Sequence, residues 1–296
     1  MRPGMPDPTP PSAPDTRAEP AREVRRESAA SRIERWSFGT ALGLLGGFAM
    51  LLLVAPTLIV IVVSFTSGLS LRFPPPGVSL RWYEALLTAS PDLWRAARVS
   101  LEVAASATAI ATVLAVAAAL ALARRRELWA RFLDSTFMSP LMLPTLALGL
   151  SLLVLFNLTG TGVSKFTLIV GHVAITAPYI LRTTSASLSQ LDPVLLESAR
   201  SLGAGRWFTF RTVTLPLVLP GVAAGAFIAF MMSFDNVAIS LFLSDARSEV
   251  LPIRLWNIIE SNLDVRAAAV SGVLIAATTV LVLLMERVVG VSRHVR

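Results

Sequence analysis

The chain has 296 residues, of which 54% are hydrophobic and 15% charged, and its mean hydropathy is +0.67. A soluble domain carries roughly a quarter charged residues, so this composition excludes an ordinary soluble enzyme, a disordered protein and a nucleic-acid binder built on a basic patch. The absence of cysteine removes disulfides, thiol nucleophiles and Cys-ligated metals.

Residues 1–35 are rich in Pro, Arg, Glu and Ser, with seven prolines in the first twenty positions. Such a stretch cannot bury enough apolar surface to order itself, and a disordered tail is expected. Met5 is a nearby alternative start. A cleaved signal peptide is not indicated, because the apolar stretch that follows is too long and lacks a cleavage-type ending.

A membrane-spanning helix needs about 20 predominantly apolar residues. Charges are missing between Arg35 and Arg72, Glu102 and Arg124, Asp134 and Lys165, Arg211 and Asp235, and Arg266 and Glu286, gaps of 36, 21, 30, 23 and 19 residues. A sixth gap of 16 residues, between Lys165 and Arg182, counts as well, since Arg182 can snorkel its guanidinium to the interface from near a helix end. The prediction is an all-α polytopic membrane bundle with a transmembrane domain at 36–290. Its six spans fall at about 40–65, 100–123, 136–157, 166–188, 215–235 and 267–287, and a short tail follows at 291–296.

Arg and Lys, rather than net charge, set orientation. With the N-terminus cytoplasmic, the inside segments carry 17 basic residues and the outside segments 8, leaving Arg182 aside. Both termini are therefore expected inside. The net charge of +7 then reports on cytoplasmic loops, and no nucleic-acid partner is needed to explain it.

Gly39, Gly43 and Gly47 recur at four-residue spacing in the first span, as do Gly221 and Gly225 in the fifth. Small residues at this spacing let helix backbones approach closely. The second span is dominated by Ala, with Ser106, Thr108 and Thr112, and suits the inside of a bundle. Plain helix packing accounts for all of these.

The loop at 190–215, between the fourth and fifth spans, is the informative segment. Asp192 followed by Pro193 reads as a helix N-cap with proline at the first helical position. Leu195, Ala199 and Leu202 share one face, with Glu197 and Arg200 off it. Gly203 is placed to end the helix, and Gly205 gives a second flexible point. Trp207, Phe208 and Phe210 follow, and a new span begins at Leu215-Pro216. The apolar face of so short a helix must pack on the membrane interface or on a partner protein. With one Arg, one Glu and a glycine stop, it suits a protein socket better than lipid.

This run resembles the EAA loop of bacterial ABC-importer permeases: Glu-Ala-Ala, three residues, Gly, nine residues, then an aliphatic residue, a spacer and Leu-Pro. Glu197, Ala199, Gly203, Val213, Leu215 and Pro216 fall in register, and Ser198 replaces the first Ala. The resemblance extends over roughly residues 48–290 and is closest to the spermidine/putrescine (PotC-type) permease family. It is carried there by Trp82-Tyr-Glu-Ala-Leu-Leu87, Met138-Ser-Pro140, Ser151-Leu-Leu-Val-Leu-Phe156, Ser233-Phe-Asp-Asn-Val-Ala-Ile-Ser240 and Leu251-Pro-Ile-Arg-Leu255.

The resemblance implies a type I (MetI-like) permease fold and a bacterial inner-membrane location. It also implies import of a small organic solute, polyamine-like, with the loop seated as a coupling helix on a separate ATPase. Glu197 would be the anchor of that helix and Gly203 its hinge. The implied partners are two ATP-binding subunits, a second homologous permease and a periplasmic or lipid-anchored solute-binding protein. No cofactor is expected on this chain, since ATP belongs to the partner subunit.

A polycation's path should offer carboxylates and aromatic faces. Asp235 and Glu102, at the outer ends of the fifth and second spans, are candidates. Asp235 reads equally as a path residue or a capping residue, and Glu102 reads better as a solvated helix-end charge. Asn236 stands where the relatives have a second Asp, and Thr145 follows Pro144 where they commonly have an acid. Both departures weaken the attraction for a polycation, so a smaller amine or another organic solute stays open.

His172 and His294 have no ligand-spaced partners, and a satisfied helix histidine is the expectation for His172. No Gly-x-x-x-x-Gly-Lys-Ser/Thr phosphate loop occurs, so the chain itself is not expected to be an enzyme. The competing reading, a secondary transporter of a small organic cation driven by an ion gradient, expects broken or charged helices near the midplane, often in internal repeats. No such repeat is visible in the sequence.

Overall fold

A computed structural model describes residues 29–289 apart from 124, 126 and 263. The expected tails up to residue 28 and at 291–296, with His294, lie outside the described residues. The helices are α1 (Ala29–Ser64), α2 (Arg81–Thr88), α3 (Pro91–Leu122), α4 (Leu128–Met142), α5 (Thr145–Leu158), α6 (Lys165–Ser189), α7 (Pro193–Ser201), α8 (Arg206–Thr209), α9 (Leu215–Phe234), α10 (Val237–Leu243), α11 (Leu251–Asn262) and α12 (Arg266–Val289). Among the described residues, five helices are long and apolar enough to cross a membrane, or six if the bent pair α4–α5 is one span.

Three boundaries differ from those expected. Helix α1 starts at Ala29, inside the stretch expected to be disordered to residue 35. The span expected at 136–157 is two helices meeting at 106°. The cause is Pro144, whose ring excludes the residue before it from helical conformation; Leu143 accordingly lies extended, at φ −87° and ψ 140°. The span expected at 215–235 begins nine residues earlier, because α8 runs into α9 through a π-helical turn at Phe210–Thr214. Pro216 has no N–H to offer the preceding turn, and the Leu215 N–H bonds the Phe210 carbonyl five residues back.

The chain divides at Pro56 into two units. In the first, the apolar side chains of α1 from Phe38 to Val54 are exposed, and Gly39, Gly43 and Gly47 have nothing within 4 Å of where a Cβ would stand.

In the second unit, α3, α6 and α9 form the packed centre. Ala104, Ala107, Ala111, Ala115 and Ala119 make a buried stripe down α3, and the lower part of it meets Ala177, Ile180, Leu181 and Ala229. On α9, Gly225 faces Thr183 and Ile180 of α6, and Gly221 faces Ser187. A Cβ at Gly225 would fall into the Thr183 hydroxyl and 2.9 Å from the Ile180 Cα. Helix α6 starts from a reciprocal cap: the Ser164 Oγ accepts from the Thr167 N–H at 3.3 Å, and the Thr167 Oγ1 accepts from the Ser164 N–H at 2.9 Å. Helix α10 packs on α5 and α6, and α2 on α12.

Gly225→Ala is expected to lower stability by about 1–3 kcal/mol, because the seam has no room for the methyl group. Gly43→Ala, with open space around the new Cβ, should be neutral or mildly stabilising. Thermal unfolding of the two variants in detergent checks the contrast.

Candidate functional site

Helix α7 leaves and re-enters the packed centre between the C-terminus of α6 and the start of α8–α9, so two spans hold it at one end of the unit. Asp192 is its N-cap, its Oδ1 accepting from the Val194 N–H at 2.9 Å, with Pro193 in the first turn. At the other end Gly203 has φ +81°, a left-handed conformation that glycine adopts without a Cβ penalty. The Gly203 N–H bonds the Arg200 carbonyl at 2.9 Å and the Ala204 N–H bonds the Ala199 carbonyl at 3.0 Å. This pair of bonds is the Schellman stop.

Helix α7 buries none of its residues. Glu197 is exposed and Ala199 half-buried, while Leu195 is 47% and Leu202 88% exposed. The aromatic residues after it are arranged alike: Trp207 and Phe208 are exposed, and Trp207 lies 5.5 Å from Phe210 between ring centroids. Leu215 and Pro216 stand in the first turn of α9, nine residues inside the span that the Leu-Pro signal was expected to begin. The result is a rigidly capped helix whose apolar side chains are left uncovered by this chain.

At the opposite end of α9, Asp235 and Asn236 form the corner between α9 and α10. Asp235 is the C-cap of α9, its backbone N–H bonding the Met231 carbonyl, and its side chain is exposed. Among the described residues, no side chain pairs with its carboxylate. Asn236 is the N-cap of α10, its Oδ1 accepting from the Ile239 N–H at 2.8 Å. Glu102, in α3, is paired with the Lys165 ammonium at the start of α6. The structure thus separates the two acidic candidates: Glu102 already has its cation, and Asp235 does not.

Two features at this end escaped the sequence reading. His172 is buried between Ser233 of α9 and Ser240 of α10, with Nδ1 2.8 Å and Nε2 3.1 Å from the two hydroxyls. These partners are 61 and 68 residues away in the chain, so no local spacing could have disclosed them. The other feature is a charged cluster around α11. Arg254 bonds Asp92 of α3 at 2.5 Å and approaches Glu249 at 3.9 Å. At the α11–α12 turn, burial alone would raise the Asp264 carboxyl, but hydrogen bonds from the Arg266 side chain and backbone hold it below the usual carboxylate range. No group of three or more His, Cys, Asp or Glu residues fit to hold a metal ion occurs among the described residues.

Fold and site together describe a membrane permease, and sequence comparison places it in a family. Residues 111–292 match the family of binding-protein-dependent transport system inner membrane components. The chain belongs to that family, the permeases of ABC importers, and is a multi-pass inner-membrane component. Within it, the chain is of the PotC type. The spermidine/putrescine transport system permease protein PotC of Escherichia coli (strain K12) is 30% identical over 243 residues, covering 80% of this chain and 90% of that protein. The putrescine transport system permease protein PotI of the same organism is also 30% identical, over 245 residues, covering 79% and 84%.

A solved chain of a bacterial ABC transporter involved in the import of the acidic polysaccharide alginate matches with a TM-score of 0.69 at 15% identity, over 90% of this chain and 98% of that one. A second alginate transporter structure, in complex with a pentasaccharide-bound periplasmic protein, matches with a TM-score of 0.67 at 15% identity, over 87% and 95%. At that identity the likeness speaks for the fold alone, the type I (MetI-like) arrangement.

The ion pair supplies a direct check. Glu102→Gln and Lys165→Gln should each lower the unfolding temperature only slightly, as expected of a solvent-screened ion pair. The double variant should cost no more than either single one, in thermal unfolding of the detergent-solubilised chain.

Proposed function

We propose that the chain is one permease subunit of an ATP-driven importer of a small organic cation of the polyamine kind. It lines half of the translocation path, a second homologous permease supplies the other half, and a solute-binding protein delivers the cargo. ATP is bound and hydrolysed by a separate pair of subunits, and their movement enters this chain through the 192–207 segment. Both termini lie on the cytoplasmic side, with α7.

The observation that carries this reading is the uncovered apolar side of α7. An isolated nine-residue helix is marginal in water. This one is capped at both ends, held between two spans, and presents Leu195 and Leu202 outward with Glu197 beside them. Such a helix is stable enough to carry a load and apolar enough to need a socket. The 30%-identical spermidine/putrescine and putrescine permeases support a polyamine as the cargo, and the Asp235 carboxylate, unpaired among the described residues, suits a cationic solute.

Two experiments test this reading. A β-branched residue at Gly203 would carry the left-handed strain of about 1–2 kcal/mol. Gly203→Val is therefore expected to reduce co-purification of the ATPase subunits by about tenfold, and Gly203→Asn, which tolerates that conformation, should largely retain them. Equal retention by both would remove α7 as the docking element. For the path, Asp235→Asn should lower vanadate-sensitive spermidine uptake in reconstituted vesicles while ATPase co-purification stays unchanged. Unchanged uptake would take Asp235 off the path, and wild-type uptake driven by a proton gradient and insensitive to vanadate would overturn the ATP-driven reading.

A further inference from the structure

The corner between α9 and α10 should not hold itself. Helix α10 has seven residues, too few to be stable alone. It is nonetheless held between α5 and α6. Gly171 of α6 lies so close that a Cβ there would sit 2.6 Å from Leu243 Cδ1 and 2.9 Å from Ile239 Cγ2. Gly149 of α5 lies as close on another side, 2.8 Å from Phe242 Cδ2 by the same measure. Ile239 and Leu243 are completely buried.

Into this apolar seat the chain places a histidine. His172 is 1% exposed, Ser233 3% and Ser240 1%. The neutral ring donates from one nitrogen and accepts at the other, and a serine hydroxyl can play either part, so both tautomers are satisfied. Ser233 lies in the last turn of α9 and Ser240 in the body of α10. His172 therefore ties together the two helix ends that flank Asp235 and Asn236. A buried polar group brings a desolvation cost that an aliphatic residue would avoid, and in a membrane bundle its return is a fixed geometry between helices.

We propose that His172 is a positioning residue for solute passage: by bonding Ser233 and Ser240 it sets the α9–α10 corner and so the place of the Asp235 carboxylate. The functional half of this rests on the path reading of Asp235 above; the geometric half does not. Asn236 is the complementary part of the device. Its side chain is committed to the Ile239 N–H, so it orders the corner rather than offering a second ligand.

The chain has no cysteine, which makes single-cysteine labelling clean. Cysteine is placed at Asp235, and separately at the control position Thr161 in the loop between α5 and α6. Maleimide labelling rates are then measured on the full-length chain in detergent. His172→Ala should change the rate at the corner by on the order of tenfold, the usual scale of coupling between bonded neighbours, and leave the control rate unchanged. Ser233→Ala with Ser240→Ala removes the same two bonds without opening a cavity and should do likewise. His172→Gln, which keeps a donor and an acceptor, should restore part of the wild-type rate. An unchanged rate at the corner, or equal changes at both positions, overturns the proposal.

Spermidine uptake then separates the two halves. If His172 acts through Asp235, His172→Ala adds no further loss to Asp235→Asn. Additive losses overturn the positioning role in transport. Wild-type uptake by Asp235→Asn instead sinks the path reading, and the labelling result still decides whether His172 holds the corner.

Discussion

Helices in a bilayer have no hydrophobic force pulling them together, since lipid tails are as apolar as their own side chains. What holds this permease is close approach, between α3 and α6 and again where α6 meets α9. Gly221 and Gly225 let the α9 backbone come against Thr183 and Ser187 of α6, at distances no side chain on α9 could share. The alanine stripe on α3 lies against the same pair. Dispersion between such surfaces is small per atom but dense, and a seam without voids resists shear. The functional segments are attached to the ends of this seam.

At one end the chain passes from α6 through α7 into α8–α9; at the other, His172 of α6 is bonded to Ser233 of α9 and to Ser240 beyond it. From Leu215 to Ser233 a helix rises about 27 Å, close to the thickness of a bilayer's hydrocarbon core. If α7 docks a partner as proposed above, a movement imposed on it would act on two helices packed closely against each other. The π-helical turn at Phe210–Thr214 lies between α7 and that pair, where α8 runs into α9.

Legibility in the sequence followed the reach of each signal. The spans were legible because a bilayer writes its thickness into runs without charge, and the α7 caps because Asp192-Pro193 and Gly203 act within one turn. The close approach of Gly221 and Gly225 was foreseeable from spacing, yet the same spacing at Gly39, Gly43 and Gly47 met open space. Spacing reports that a backbone can be approached, and only the fold says by what. The bend at Pro144 was obscured because the flanking residues are apolar on both sides. The extension of the fifth span back to Arg206 was hidden by Arg206 and Arg211, which break the uncharged run without breaking the helix. The His172 network and the Glu102–Lys165 pair were out of reach, each joining residues more than sixty positions apart.

The charge arithmetic of the corner bears on what kind of solute such a path suits. Among the described residues, three candidate positions reduce to one: Glu102 is answered by Lys165, Asn236 is neutral and spent on capping, and Asp235 remains exposed and unpaired. A single carboxylate near a water-filled path attracts an ammonium by about 1–4 kcal/mol at contact distance, depending on local dielectric. That is enough to guide a cation and too little to trap it. On the polyamine reading, a chain of ammonium groups would be passed along one charge at a time rather than held at several points together. On that reading a weak, single-point attraction suits transit, since tight binding inside a permease would slow release.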